Sequence, residues 1–305
     1  MDFRCNVIVK SAVAGLTLAA MLSVTPAMAA QDGSEEPTVS SANLRGDLYI
    51  LHGMGGNVVA SVGGDGVLII DDDYPQYAPA YEQALLDIGM KTKAPRFLLN
   101  THWHMDHTGS NSYWGERGSV IVSHDSVRTR LSTRQELKAF GMVVEASPPV
   151  ALPVVTFAQS LALHFNGDDI EMQYYPGGHT DGDSVIFFTE TNVVHMGDNF
   201  FNARFPFIDI GSNGSVQGYI DCIQDVLGRI DDDTIVVPGH GSVGNKADLS
   251  RFLDMIVATS AIVTAKLDKG ISVEEITEQG LGEQWGSWGQ HTINEATWIS
   301  FLAAR

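Results

Sequence analysis

The chain reads as a single α/β domain, and two observations predict it. Short β-rich runs alternate with segments of helical spacing in both halves of the chain. The ligand-type side chains fall where those runs end, which is where α/β proteins place their chemistry. No shift of composition marks a linker in the middle, so the two strand-then-helix halves are read as one domain over residues 47–305.

The first residues stand apart from that domain. Arg4 and Lys10 precede an apolar run, Ser11 to Val24, which is followed by TPAMAA with small residues at Ala27 and Ala29. This order of charge, apolar run and A-x-A site predicts a secretory signal peptide over residues 1–29, cut after Ala29 or Ala30. The run is shorter than the ~20 residues a membrane span needs, and no cysteine sits at the cleavage site to carry a lipid. Export to the periplasm or medium follows as an expectation. Residues 30–46 begin with the polar stretch QDGSEEPTVSS and are expected to be a flexible leader.

Thirty-seven acidic against 18 basic residues give a formal charge of −19. Such a surface repels phosphate backbones and anionic lipid, so nucleic acid is excluded as a partner and a small molecule is favoured. Cys222 is the only cysteine beyond the signal segment, so no internal disulfide forms and stability must come from a core.

The elements follow in order. DLYILHG, NVVASVGG and GVLIIDDDY are strands separated by GMGG and by a Gly64–Gly66 turn. Tyr81, Leu85 and Ile88 share a face of a helix in YAPAYEQALLDIGM. RFLLN and SVIVSH are short strands ending at Asn100 and His124. A helix-prone stretch runs from Asp125 to about Gly141, and Pro148, Pro149 and Pro153 then break regularity. Asn166–Gly167 marks a hairpin in LALHFNGDDIEMQYY. SVIFFTETNVVHMGD holds two strands with a turn at Glu190–Asn192. Val216, Ile220, Ile223, Leu227 and Ile230 fall at helical spacing, with Cys222 beside the stripe as a plain helix residue. After the strand TIVVPGHG, two helices are expected to close the chain, from Asp248 to about Leu267 and from Val273, the latter opened by a Ser272/Glu275 capping box.

Three of the chain's ten histidines lie in LLNTHWHMDHTGSN, at His102, His104 and His107, with Asp106 among them. Histidines at i and i+2 leave a strand end on the same side and converge. Four ligand-type groups in six residues crowd one ion but suit two adjacent ones. Zinc takes imidazole nitrogen and carboxylate oxygen at about 2.0–2.2 Å, and two ions need further ligands. Three candidates close strands or sit in glycine turns: His179 in PGGHTDGDS, Asp198 in VVHMGDNF and His240 in VVPGHGS. Glycine beside a ligand lets backbone approach closely.

These motifs together resemble the metallo-β-lactamase superfamily: HWHMDH matches its H-x-H-x-D-H signature, with His179, Asp198 and His240 following in order, over about Leu48 to Gly244. The strand GVLIIDD matches too, with Asp71 at the acidic position behind the metal loop. The resemblance implies a four-layer αββα sandwich. It implies that His102, His104 and His179 hold a first metal, that Asp106, His107 and His240 hold a second, and that Asp198 bridges them. Asp71 is then expected to orient the loop rather than bind metal. Two Zn(2+) per chain are expected, with iron or manganese as alternatives. Their shared water falls in pKa from 15.7 to about 7 and attacks a carbonyl, with Asp106 as the catalytic residue that holds it in line.

The sequence departs from the best-known lactamase subclass, which has a cysteine where Asp198 stands and a lysine where Phe201 stands. A bridging aspartate is the pattern of hydrolases acting on thioesters, lactones and phosphodiesters. The leading reading is therefore a binuclear zinc hydrolase of esters, thioesters, lactones or β-lactams. A lactamase proper, an iron-dependent oxidoreductase or sulfur dioxygenase, and a non-catalytic metal-binding protein are the alternatives. Flavo-diiron members carry glutamate where His104 stands, single-metal dioxygenases lack the second ligand set, and mere binding does not need Asp106. Of the other histidines, His195 reads as packed or as supporting a ligand, His124 as structural or supporting the metal loop, His52 as lining the mouth, His164 as exposed and His291 as unrelated to metal. Arg204, among phenylalanines, offers a charge for an anionic substrate or is a packing residue. Asp231–Asp233 reads as an acidic turn.

Overall fold

The computed structural model describes residues 36–304, so the signal-peptide expectation lies outside the described residues. From Pro37 onward the chain forms one compact unit. The first half runs β1 (Ser40–Arg45), β2 (Leu48–His52), β3 (Val58–Gly63), β4 (Gly66–Ile70), α1 (Ala78–Asp87), β5 (Phe97–Leu99), α2 (Met105–Thr108), α3 (Asn111–Glu116), β6 (Val120–His124) and α4 (Asp125–Leu131). A small hairpin, β7 (Gln135–Leu137) and β8 (Met142–Val144), precedes β9 (Val155–Phe157). The second half runs β10 (Ser160–Phe165), β11 (Asp168–Tyr174), β12 (Ser184–Phe188), β13 (Val193–His195), α5 (Val216–Arg229), β14 (Ile235–Val237), β15 (Gly244–Asn245), α6 (Lys246–Leu267), α7 (Val273–Gln279) and α8 (Glu295–Ala303).

The strands form a seven-stranded sheet, β1-β2-β3-β4-β5-β6-β9, and a six-stranded sheet, β10 to β15 in sequence order. Side-chain alternation assigns the layers. Ile50, Val59, Leu68, Ile70, Leu99 and Val122 point between the sheets, where they meet Phe165, Ile170, Met172, Ile186, Phe188 and Val237. Their neighbours Leu51, Val58, Ala60, Ile69, Leu98 and Ile121 face outward under Tyr81 and Leu85 of α1 and Trp114 of α3. Val185, Phe187, Val194 and Val236 face outward on the other side, under α5, α6 and α8. This is the αββα sandwich that the sequence resemblance implies. No helix among the described residues is long and apolar enough to cross a membrane.

Four expectations are corrected. The end of the expected flexible leader, Ser40–Arg45, is the edge strand β1, antiparallel to β2. Arg45 pins it by donating to the carbonyls of Thr191, Asn192 and Asp233, partners too distant in sequence to be foreseen. The stretch from Asp125 to Gly141 is helical only to Leu131; it lacks an apolar stripe beyond that, and Gly141, at φ 61°, turns the chain into the hairpin. The buried face of α5 is centred on Tyr219, Cys222, Ile223 and Val226, with Val216, Ile220 and Leu227 of the expected stripe packed half-buried at its margin, so Cys222 lies within the buried face instead of beside it. The Tyr219 hydroxyl lies 2.7 Å from the Asp198 carbonyl and 2.9 Å from that of Phe207, which draws its face inward. A third closing helix, α8, buries Trp298, Ile299, Phe301 and Leu302, and being apolar on most sides it shows no helical period.

Candidate metal centre

The ligand-type residues follow the C-terminal ends of strands from both sheets and meet along one edge of the sandwich. Asp71 follows β4, residues 100–107 follow β5, His179 lies between β11 and β12, Asp198 follows β13 and His240 follows β14. The loop 53–57 ties the two sheets at this edge. Asn57 donates its backbone N–H to Gly239 and its side-chain amide to Pro238 and Gly241. His195 Nε2 donates to the Asn57 carbonyl.

All seven predicted ligands come together. Nitrogens of His102, His104 and His179 form one group with every pair within 4.8 Å. Asp106, His107 and His240 form a second, and His102, His107 and Asp198 a third that joins them. Asp198 Oδ2 is 3.4 Å from His179 Nε2 and 3.5 Å from His240 Nε2, while its Oδ1 is 3.1 Å from His107 Nε2. Asp198 thus stands between the two groups.

The outward hydrogen bonds fix which nitrogens face inward. His104 donates Nε2–H to Asp209 Oδ2 at 3.1 Å. His179 donates Nδ1–H to the Phe207 carbonyl at 2.7 Å. His107 donates Nδ1–H to Asp71 Oδ2 at 2.7 Å. Thr101 Oγ1 gives its proton to Asp71, so it accepts from His102 Nδ1 at 3.0 Å. In its neutral form each ring therefore turns a bare lone pair inward. His104 Nδ1 and His179 Nε2 face each other across 2.7 Å, and His102 Nε2 is buried with no hydrogen-bond partner. Lone pairs crowded so closely repel unless a cation lies among them. The donor set, imidazole nitrogen with carboxylate oxygen, fits a borderline divalent ion such as zinc.

The charges divide the same way. Burial pushes His102 well down, and pushes His179 down to about 4 although Asp198 opposes it. Burial also acts against charge on His107 and His240. There Asp198 and Asp106 outweigh it, holding His107 well above its ordinary value and His240 at about 9. Burial would raise Asp106 and Asp198, but the facing histidines, His107 first, hold both below the usual carboxylate range. One corner is neutral nitrogen; the other, with no ion bound, pairs carboxylates with protonated rings whose inward protons a divalent ion would displace.

Close approach requires glycine at two places. A Cβ on Gly239 would sit 2.0 Å from Asp198 Oδ1, and one on Gly56 would sit 2.1 Å from His107 Cε1. Asp71 is where the sequence predicted, fully buried and accepting also from the Thr101 backbone N–H at 2.8 Å. The sequence reading does not single out Asp209, whose only cue is that it closes the apolar run Phe205–Ile208. Nor does it find Asp73, which accepts from the backbone N–H groups of Met54 and Gly55 and holds the loop 53–57 over the site. His124 is structural: it accepts from Ser126 N–H at the start of α4 and stacks on Tyr174. His52 bonds Asn57 instead of lining the mouth, and His164 is exposed. Asp231 caps its own turn by accepting from Asp233 N–H and the Thr234 hydroxyl.

A cavity of about 430 Å³ opens beside Asp106, Asp198 and His240. Its apolar lining includes Phe201, Phe207, Phe140 and Met142, the Phe140 and Phe207 rings meeting with centroids 4.8 Å apart. Trp103 is not part of this mouth; it is core, donating Nε1–H to Ser212.

A family model described as the metallo-beta-lactamase superfamily matches residues 53–240. The 2,4-dinitroanisole O-demethylase subunit alpha of Nocardioides sp. (strain JS1661) is 22% identical over 261 residues, covering 83% of this chain and 74% of its own. Hydroxyacylglutathione hydrolase of Polaromonas sp. (strain JS666 / ATCC BAA-500) is 26% identical over 188 residues, covering 56% of this chain and 64% of its own. Among solved structures, the DIM-1 metallo-beta-lactamase superposes with a TM-score of 0.59 at 16% identity, over 73% of this chain and 98% of its own. That likeness carries the fold alone.

Proposed function

The chain belongs to the metallo-beta-lactamase superfamily, and from that premise we propose that it is an exported binuclear zinc hydrolase opening the carbonyl of an ester, thioester, lactone or β-lactam. The observation that carries this reading is the set of inward lone pairs, four histidines whose outer nitrogens are all engaged as donors. His102, His104 and His179 would hold one ion, Asp106, His107 and His240 the other, and Asp198 both. Bound zinc supplies Lewis acidity and a water whose pKa is lowered to about 7.

The chain's own residues do the rest. Asp106 Oδ2 lies 3.2 Å from His240 Nε2, with its side chain about a quarter exposed to the cavity. There it would take a proton from the attacking water and afterwards give that proton to the leaving group. Asp71, Asp209 and the Phe207 carbonyl keep the rings in the tautomers the site needs. The apolar walls exclude bulk water and strengthen each of these interactions. Asp198, in place of cysteine, and Phe201, in place of lysine, favour esters, thioesters and lactones over β-lactams. The hydroxyacylglutathione hydrolase relative, a hydrolase by name, supports hydrolysis without choosing among these substrates.

The test is turnover of a panel of chromogenic esters, thioesters, lactones and a β-lactam by the zinc-loaded protein and its Asp106→Ala variant. The reading expects at least one substrate to be turned over and a loss of 100-fold or more in the variant, roughly the size of a general acid–base contribution. No turnover of any carbonyl substrate by protein holding two zinc ions contradicts it.

A further inference from the structure

We infer that Arg204, with the His291 ring and the Thr292 hydroxyl, receives the carboxylate of a substrate whose apolar body fills the cavity beside the metal ligands. This rests on the hydrolase reading, because it takes the occupant of the cavity to be the substrate.

Arg204 is exceptional in its pairing. The described residues include nine arginines. The other eight each make a hydrogen bond, an ion pair or a cation–π contact. Arg204 makes none, and its Nε is buried without a partner. In a chain of formal charge −19, carboxylates are abundant, yet this guanidinium hydrogen-bonds to none, and the metal-site carboxylate of Asp198 acts on it only from a distance. A half-buried charge held that way is destabilising until an anion meets it.

The backbone is arranged to place it there. Ala203, next in sequence, has φ 58°, a left-handed conformation that a side chain with Cβ seldom adopts. Such strain persists only where the surroundings over-determine it, and it gathers at functional sites. Here the following residue is fixed on both sides: Phe205 N–H donates to the Trp288 carbonyl at 3.1 Å, and its ring stacks on Trp298 at 5.7 Å.

The C-terminal segment supplies the other two groups. His291 and Thr292 are exposed, line the same cavity, and make no hydrogen bond within the described residues. His291 is close enough to Arg204 to feel its charge. Both lie beyond residues 53–240, the part matched by the family model, whereas Arg204 lies within it. A single cation matches a single negative charge, and the planar guanidinium fork matches a carboxylate in shape. The remaining walls, Phe140, Met142, Phe201, Phe207 and Ile293, offer no further charge and suit an aromatic or aliphatic body.

The test uses two readouts on the zinc-loaded protein. Calorimetry compares 4-phenylbutyrate with its neutral analogue 4-phenylbutanol. The wild type should prefer the carboxylate tenfold or more; Arg204→Gln should lose that preference while binding the alcohol unchanged, and Arg204→Lys should keep part of it. Thr292→Val, at an exposed position, should reduce the preference about threefold and serves as a second variant if Arg204→Gln does not fold. In parallel, kcat/KM for mono(4-nitrophenyl) glutarate relative to 4-nitrophenyl butyrate should fall tenfold in Arg204→Gln. No carboxylate preference in the wild type, or the same preference in wild type and variants, overturns the inference. Loss of the calorimetric preference in Arg204→Gln with neither ester turned over sinks the hydrolase reading and leaves the anion site standing.

Discussion

At the scale of single residues, the centre depends on hydrogen bonds made away from it. His104 is aimed by Asp209, 105 positions along the chain, and His107 by Asp71, 36 positions back. Removing such an outer partner frees the ring to rotate and to change tautomer. Asp209→Ala is therefore expected to weaken zinc affinity by roughly 10–100-fold with little change in fold, measurable by competition with a chromogenic chelator; unchanged affinity would mean that His104 is held by packing alone. The ligands themselves were legible in the sequence because their spacing and residue types are local, as in HWHMDH. Asp209, Asp73 and Thr101 were not, because their roles depend on groups that only the folded chain brings near. Asp71 was legible only through the resemblance.

At the scale of elements, strands were easier to read than helices. The short apolar, β-branched runs of β2 to β4 and β12 are a local signal that survives folding, so the strands appear where expected. The helices depend on what covers them. The stripe of α5 is turned toward Tyr219 by two backbone carbonyls, and α8 is too apolar overall to show a face. The sequence predicts helix through β7 because Gln135–Leu137 is polar and carries no β pattern of its own, while β8 lies beyond the expected helix. Caps were legible: Ser272 and Glu275 form the reciprocal box at the start of α7, with the Ser272 hydroxyl accepting from Glu275 N–H and the Glu275 carboxylate from Ser272 N–H. Ser272→Ala is expected to lower unfolding free energy by about 1 kcal/mol, read as a shift in the urea midpoint at constant slope. A shift indistinguishable from zero would mean that α7 is held by Ile276 and its neighbours in the core instead.

At the scale of the whole molecule, two sheets carry the same plan. Each ends its parallel strands at one edge, and the centre forms only where both halves meet. Breaking the packing between the sheets should therefore disturb metal binding as well as stability. Phe188→Ala, deep between the sheets and not itself a ligand, is expected to cost about 3–5 kcal/mol and to release zinc at lower urea than the wild type. The single-domain α/β plan was legible from alternation and from ligands at strand ends, while the four-layer order rested on the resemblance. Export remains part of the proposal, and it predicts that the mature N-terminus, read by mass spectrometry of protein recovered outside the cytoplasm, is Ala30 or Gln31. The most direct test of the central claim is a zinc titration of chelator-stripped protein, following hydrolysis of a chromogenic ester that the untreated protein turns over. The account predicts that activity returns and saturates at two zinc ions per chain; saturation at one, or recovery with iron but not zinc, would contradict it.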